Sequence, residues 1–403
     1  MLNLRISSYY AAVFLVMGIY LPFWPLWLEE QGLDAETIGL LMALAPWLQI
    51  FTSPGLALIA DKTGRHRKTL IAIALFAALS FYGIYHAEAL SGLTSLPKLT
   101  LFFILQAAAI CTYLSMIPIG DSQTLKLVNR HDLSYGRLRM WGSISFIAAS
   151  VVIGKLLEVF SNQATIWLMI GALILAAFAA SVLPRVRDRL PVPAKTEEEK
   201  SEQRSALKIL LGRPRFLLVI FAASSITASH ATFYAFGSLY MSSLGYDESA
   251  IGLVWAVGVV AEVLLLYNGK RILKLLKPAH LILLGGCGAA LRWFLMTELD
   301  NIWFFGLLQC LHMLSFATTH LGIASYLSHN APEKLAASSQ SLYSGLANGL
   351  MMGVGMLIAG SLFPVNPQWA FWVSGALAST GILLMLTQRS LLALTRETGQ
   401  AAN

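Results

Sequence analysis

Apolar stretches of about 20 residues recur twelve times in this chain, near 8–28, 37–60, 68–86, 98–123, 135–157, 163–183, 215–241, 249–268, 279–297, 301–327, 336–362 and 369–388. Each is long enough to cross a hydrocarbon core of about 30 Å as a helix. Backbone polar groups in that core must be satisfied within their own segment, so the expected fold is an all-α membrane protein of twelve transmembrane helices. Only 12% of the residues are charged, well below the share in a soluble domain. The net charge of +7 raises nucleic acid as a partner, but the cations line one side of a membrane and form no binding patch. The expected surroundings are a lipid bilayer, with no nucleic acid.

With both termini on one side, that side collects Arg5, the 62–68 cluster, Lys126, Arg130, Arg137, the 185–215 segment, the 270–277 cluster, Lys334, Arg389 and Arg396. The opposite connections hold Lys98 and Lys155 and carry acids instead: Glu29, Glu30, Asp34, Glu36, Asp247, Glu248, Glu298 and Asp300. The positive-inside rule then puts both termini in the cytoplasm. The first run lies behind Arg5 alone and shows no small-residue cleavage site, so no cleavable leader is expected. Cys111, Cys287 and Cys310 are odd in number and sit in apolar runs, which implies no disulfide framework.

The longest polar stretch, 184–214, divides the spans six and six. It reads as a cytoplasmic linker, with a short amphipathic helix expected around Ser205 to Leu211 and a solvated acidic run at 196–200. The expected organisation is an N-terminal half, 1–183, and a C-terminal half, 215–403. Two such halves suggest a transporter built from repeats, with its substrate site at mid-membrane between them.

Four charges interrupt the apolar spans: Asp121, Arg139, Glu262 and Arg292. A charge there costs about 2.5–3.5 kcal/mol on insertion scales, so it normally faces a partner or a watery cavity. Asp121 and Arg139 lie on consecutive spans and are placed to neutralise each other. That fits a structural ion pair, but intramembrane pairs more often mark a pathway. His230, His312 and His320 add groups able to carry or relay a proton. In the first span Pro22 and Pro25 permit bending, Trp27 fits an interfacial belt, and the deeper Tyr20 and Trp24 are candidates for the outer mouth of a cavity. Gly345, Gly349, Gly353 and Gly355 suit close helix packing, with Asn348 a candidate cavity residue.

After the second span, GLALIADKTGRHRK supplies Gly55, Asp61, Lys62, Gly64, Arg65, Arg67 and Lys68. This string resembles the loop signature of the major facilitator superfamily: a tight glycine turn, an acid to pair with a neighbouring helix end, and cations toward inner-leaflet phosphates. NGKRILKLLK, Asn268 to Lys277, looks like a degenerate copy lacking the acid. Asp121, Arg139 and YGRLRMWGS are similar to the fourth and fifth spans of the lactose permease branch, where an acid and an arginine at that interval bind the sugar. Glu262, Arg292 and His312 fall where that branch has a glutamate, an arginine and a histidine, while Ser315 and Gln309 replace its expected acid and lysine. PFWPLWL, SHATFY, VVAEV and LHMLSFATTHL resemble the phenylpropionate permease type more closely.

The resemblance implies two pseudo-symmetric six-helix halves and a monomeric, proton-coupled importer of a small aromatic acid such as 3-phenylpropionate in the bacterial inner membrane. Arg139 or Arg292 would hold the carboxylate in bidentate geometry, with Tyr20, Trp24, Tyr113 and Trp141 against the ring. Glu262, or Asp121 once its arginine is occupied, would take the proton, relayed by His312 or His230. The alternative is a sugar or nucleoside symporter, with Asp121 accepting hydroxyl hydrogen bonds. The chain shows no HExxH, GxSxG or GxxxxGK motif, so neither an enzyme nor a metal or cofactor site is expected.

Overall fold

The computed structural model describes residues 1–184, 205, 208–209, 211–332 and 335–388. These residues form helices joined by turns and include no strand. Among them are 12 helical segments long and apolar enough to cross a membrane: Leu2–Glu30, Ala35–Thr63, His66–Tyr85, Lys98–His131, Tyr135–Phe160, Asn162–Val182, Pro214–Ser243, Glu248–Tyr267, Pro278–Leu295, Ile302–Asn330, Ser338–Leu362 and Pro367–Leu386. They are called here the first to twelfth spans. Most of the 184–214 stretch, most of the helix expected at 205–211, Lys334, Arg389 and Arg396 lie outside the described residues.

Several helices outrun their apolar runs. The fourth continues to His131, so Asp121 sits ten residues inside it, where a boundary near 123 puts it at the edge. Hydropathy reports the hydrocarbon slab, whereas a helix extends through the interface until a capping conformation stops it. Here Asp132 does so in the left-handed region (φ 49°), with the Leu133 N–H donating to Val128 O.

The first span packs on the fifth and sixth, and the third on the fourth and sixth; the ninth packs on the tenth and twelfth, and the seventh on the eleventh and twelfth. Two large contacts join these groups: the second span on the eleventh, and the fifth on the eighth. The symmetry reaches individual residues. Gly32-Leu33-Asp34 before the second span and Gly245-Tyr246-Asp247 before the eighth have the same geometry: Gly32 has φ 79° and Gly245 φ 84°. Asp34 accepts from the Thr37 N–H at 2.8 Å and Asp247 from the Ala250 N–H at 2.8 Å, each capping its helix. Five residues further on, Gly39 and Gly252 each touch backbone across the seam, Gly39 on Met356 O and Gly360, Gly252 on Ser150 O.

These contacts close the seam toward the end of the bundle that carries the acidic connections, where Asn162 also donates to Glu248 at 3.1 Å and Ser249 to Glu158. Along the eleventh span the packing fades toward the other, basic end. Gly360 meets Gly39, Gly353 meets Trp47 and Gly349 meets Ile50, but Gly345 has nothing within 4 Å of a Cβ, and neither has Gly55 opposite on the second span. The halves therefore meet at the acidic end and part at the basic end. There Gly64, in the left-handed region (φ 60°), ends the second span, and Asp61 pairs with His66 at 2.8 Å and lies 3.9 Å from Lys126. Arg65 caps the start of the third span without a side-chain hydrogen bond to it.

Candidate functional site

Asp121 and Arg139 do not neutralise each other. The Asp121 carboxylate accepts two tyrosine hydroxyls on the same oxygen, Tyr10 at 2.6 Å and Tyr135 at 3.0 Å, which leaves Oδ2 open. The Arg139 guanidinium instead lies over the rings of Phe14, 4.0 Å from the centroid, and Tyr10, at 5.5 Å. A cation over an aromatic face is attracted by the ring quadrupole, by about 2 kcal/mol when desolvated. Arg139 makes no hydrogen bond or ion pair among the described residues and remains partly exposed, so all its donors are available. Helical register places it between the face of the fifth span that packs on the first, at Gly142 and Ala149, and the face that packs on the eighth, at Ser150 and Gly154. It therefore points into the space between the halves.

The facing half carries a chain of polar contacts, hydrogen-bonded from His312 through Arg292 and Ser315 to His230. His312 Nε2 lies 3.4 Å from the Glu262 carboxylate, and His312 Nδ1 lies 3.0 Å from Arg292 Nη1. Arg292 also donates to Ser315 at 3.3 Å and to Gln309, and Ser315 lies 3.1 Å from His230 Nε2. His230 Nδ1 meets Thr227 O at 3.0 Å. Arginine can only donate, so His312 accepts on Nδ1 and carries its hydrogen on Nε2, toward Glu262. A carbonyl can only accept, so His230 carries its hydrogen on Nδ1 and receives the Ser315 hydroxyl on Nε2. Every hydrogen in the chain then has one consistent direction, with both histidines neutral.

Arg292 is 1% exposed and has no carboxylate within 4.0 Å among the described residues. A buried ion of this kind costs several kcal/mol. The Glu262 carboxylate, one histidine away, is its compensating charge in the chain. Glu262 also lies within electrostatic reach of His320 and of Arg139 across the seam. Local irregularities surround this chain: the seventh span breaks between Ala228 and Ala231, at His230, and π-helical turns run over Met313–Thr318 in the tenth span and Gly345–Met351 in the eleventh. Such turns recur at functional sites because they free backbone groups and re-aim side chains.

The remaining candidates fall elsewhere. Tyr20 and Trp24 are buried among the first four spans: the Tyr20 hydroxyl meets Met42 Sδ at 3.7 Å, and Trp24 Nε1 donates to Gln106 at 3.2 Å. Trp27 is no interfacial belt residue, being 1% exposed and stacked on Trp24 with centroids 4.7 Å apart. Tyr113 is buried with its hydroxyl on Val13 O at 2.9 Å. Trp141 lies on the outer stripe of the fifth span with Ile144, Ala148 and Val152, turned away from Arg139. Asn348 is exposed, on the opposite side of its helix from Leu350, Val354 and Ile358. Tyr10, Phe14 and Tyr135 complete the Arg139 site without standing out in the sequence. Their residue types are ordinary in membrane helices, and only their partners set them apart.

A bundle of twelve spans, closed at one end and lined between its halves by a small set of charged groups, is the architecture of a secondary transporter of the major facilitator type. A model of the MFS_1 like family matches residues 3–373, and the chain belongs to that family. Over 381 residues it is 25% identical to the "Probable 3-phenylpropionic acid transporter" of Escherichia coli, covering 93% of this chain and 95% of that one. It is likewise 25% identical to the maltose permease of Geobacillus stearothermophilus over 394 residues, 94% of this chain and 93% of that one. A crystal structure of a variant of the nucleoside transporter NupG superposes with a TM-score of 0.82 at 14% identity, covering 98% of this chain and 100% of that one. The protein is thus a multi-pass membrane transporter of a small molecule, and its family comprises transporters, not enzymes.

Proposed function

We propose that the protein is a proton-coupled importer of a small aromatic acid such as 3-phenylpropionate, working as a monomer in the bacterial inner membrane with both termini cytoplasmic. The observation that carries this reading is Arg139. A guanidinium inside a membrane span, with every donor free and an aromatic floor beneath it, is a seat for a carboxylate with an apolar body attached. Arg292, which the sequence leaves as an equal choice, has its guanidinium engaged by His312, Ser315 and Gln309 and serves the proton chain instead. The name of the Escherichia coli relative supports the same substrate class.

In this reading the halves 1–183 and 215–403 rock about the site while 184–214 links them. An anion arriving on Arg139 takes the countercharge that Glu262 otherwise feels, and the uncompensated carboxylate takes up a proton. His312 lies between that carboxylate, at 3.4 Å, and Arg292, to which it is hydrogen-bonded at 3.0 Å, so a change at Glu262 is felt along the chain through His312. Labelled 3-phenylpropionate should accumulate in proteoliposomes under an inward proton gradient and only equilibrate without one. Glu262→Gln should lose accumulation, and Asp121→Asn should weaken it; full accumulation in both variants would end this coupling scheme.

One observation favours a second reading, a sugar or nucleoside symporter. Asp121 keeps Oδ2 open beside two tyrosine hydroxyls, an acceptor suited to substrate hydroxyls. Competition by aromatic acids, sugars and nucleosides separates the readings, because only the first expects a carboxylate to be required.

A further inference from the structure

The first span presents two rings one turn apart, Tyr10 and Phe14, and the Arg139 guanidinium lies over both. The fifth span carries its own pair one turn apart: Tyr135, whose hydroxyl meets Asp121 at 3.0 Å, and Arg139 itself. One turn is about 5.4 Å, well within the reach of an arginine side chain, so helix register alone leaves Arg139 able to reach Asp121. It does not, because Tyr10 occupies the gap. The Tyr10 hydroxyl donates to Asp121 Oδ1 at 2.6 Å, and the guanidinium carbon lies 5.5 Å from the centroid of the same ring. That ring is buried and packed edge-on against Tyr9 at 5.7 Å and Tyr135 at 6.4 Å, which holds it in place. Gly142, one turn further along the fifth span, makes room for the guanidinium: a Cβ there would meet the Phe14 ring at 2.9 Å and Arg139 Nη1 at 3.1 Å.

Resting on the reading that Arg139 seats the substrate carboxylate, we infer that Tyr10 is a positioning residue that keeps this seat open by holding Asp121 and Arg139 apart. The Asp121 carboxylate is the same chemical group that the substrate brings, and it is tethered beside the seat. In contact with the guanidinium it would match the same planar fork and take the same donors. Tyr10 removes this internal competitor at both ends. Its hydroxyl gives the carboxylate another partner, and its ring face, together with Phe14, gives the guanidinium a resting place that uses no N–H donor. Two opposite charges that would otherwise attract each other into a pair thereby stay separate within one site.

The test is titration calorimetry of 3-phenylpropionate on the detergent-solubilised protein, run as a double-mutant cycle between Tyr10→Ala and Asp121→Asn. If the released ion pair holds about nine-tenths of the Tyr10→Ala molecules, the dissociation constant rises about tenfold, because only the unpaired fraction can bind. In the Asp121→Asn background the same substitution should change it by less than about threefold, since no carboxylate remains to capture the arginine. Tyr10→Phe keeps the ring between the charges and should restore most of the affinity lost in Tyr10→Ala. Tyr10→Val opens the same gap with a smaller cavity and carries the cycle if Tyr10→Ala does not fold. Parental affinity in Tyr10→Ala overturns the inference, and so does an equal loss with and without Asp121→Asn, the signature of a ring that only packs. If the unmutated protein binds no 3-phenylpropionate, or Arg139→Gln binds it equally well, the carboxylate-seat reading fails first and the inference falls with it, so these two controls tell the failures apart.

Discussion

Arg139→Gln is expected to raise the dissociation constant for 3-phenylpropionate by roughly 30- to 150-fold, the equivalent of about 2–3 kcal/mol for truncating one side of a partly desolvated charge pair. Arg139→Lys should recover only part of this. A lysine restores a point charge, but it has no planar fork to match a carboxylate and loses the flat contact with the Phe14 ring that holds the guanidinium in place. Phe14→Ala should act in the same direction and more weakly, since it removes the floor and leaves the donors. Arg292→Gln predicts a different pattern. Its loss leaves Gln309 and Ser315 without their buried donor and should cost stability and accumulation before it costs affinity. Titration calorimetry on the detergent-solubilised protein reads these apart. Affinity that survives Arg139→Gln and vanishes in Arg292→Gln would exchange the two arginines and remove the basis for the proposed substrate seat.

The charges were the legible part of this site. Asp121, Arg139, Glu262 and Arg292 stand out because a full charge in an apolar run is expensive. Their partners were not legible. Opposite signs on consecutive helices suggest a pair, but whether Arg139 meets Asp121 or the ring of Phe14 depends on helix rotation and depth, which composition does not encode. Tyr10 settles the matter: its hydroxyl holds Asp121 while its ring faces Arg139, so one side chain stands where the ion pair would have formed. Some information lay in the sequence unread. Two residues along a helix turn about 200°, so Trp141 and Arg139 share a segment without sharing a face. Trp27 has the composition of an interfacial residue, yet a neighbouring Trp24 and Phe102 offer it a stack inside the bundle.

Fold class was legible for a simpler reason. Lipid leaves so few choices for a spanning backbone that twelve apolar runs nearly dictate twelve helices. What hydropathy alone does not give is where the halves touch. That is set by Gly-x-Asp turns at Gly32 and Gly245, whose left-handed conformation and aspartate caps aim two equivalent helices at the opposite half. The same device used twice puts Gly39 and Gly252 at equivalent places on the acidic seam, and it makes closure at that end depend on two missing side chains.

Gly252→Leu should therefore hold the acidic end open. A Cβ at Gly252 meets the Ser150 carbonyl, which is backbone of the fifth span and cannot rotate aside as a side chain would. Overpacking of this kind costs about 1–3 kcal/mol, and only in the state where the helices touch. A penalty confined to one of two conformations shifts their ratio by its full amount, about tenfold for every 1.4 kcal/mol. Turnover, which needs both conformations, should fall by about tenfold or more, while affinity for substrate offered from the acidic side is retained or improved. Met356→Cys, with Cys111, Cys287 and Cys310 replaced by serine, supplies the reporter: Met356 is 5% exposed and its carbonyl faces Gly39, at the other half of the seam. Its reaction with a membrane-impermeant maleimide should rise in the Gly252→Leu background, although Gly252 lies on a different pair of helices. Gly39→Leu should give the same turnover defect from the other contact. Unchanged labelling together with unchanged turnover would mean that the acidic seam is not the surface on which the halves part.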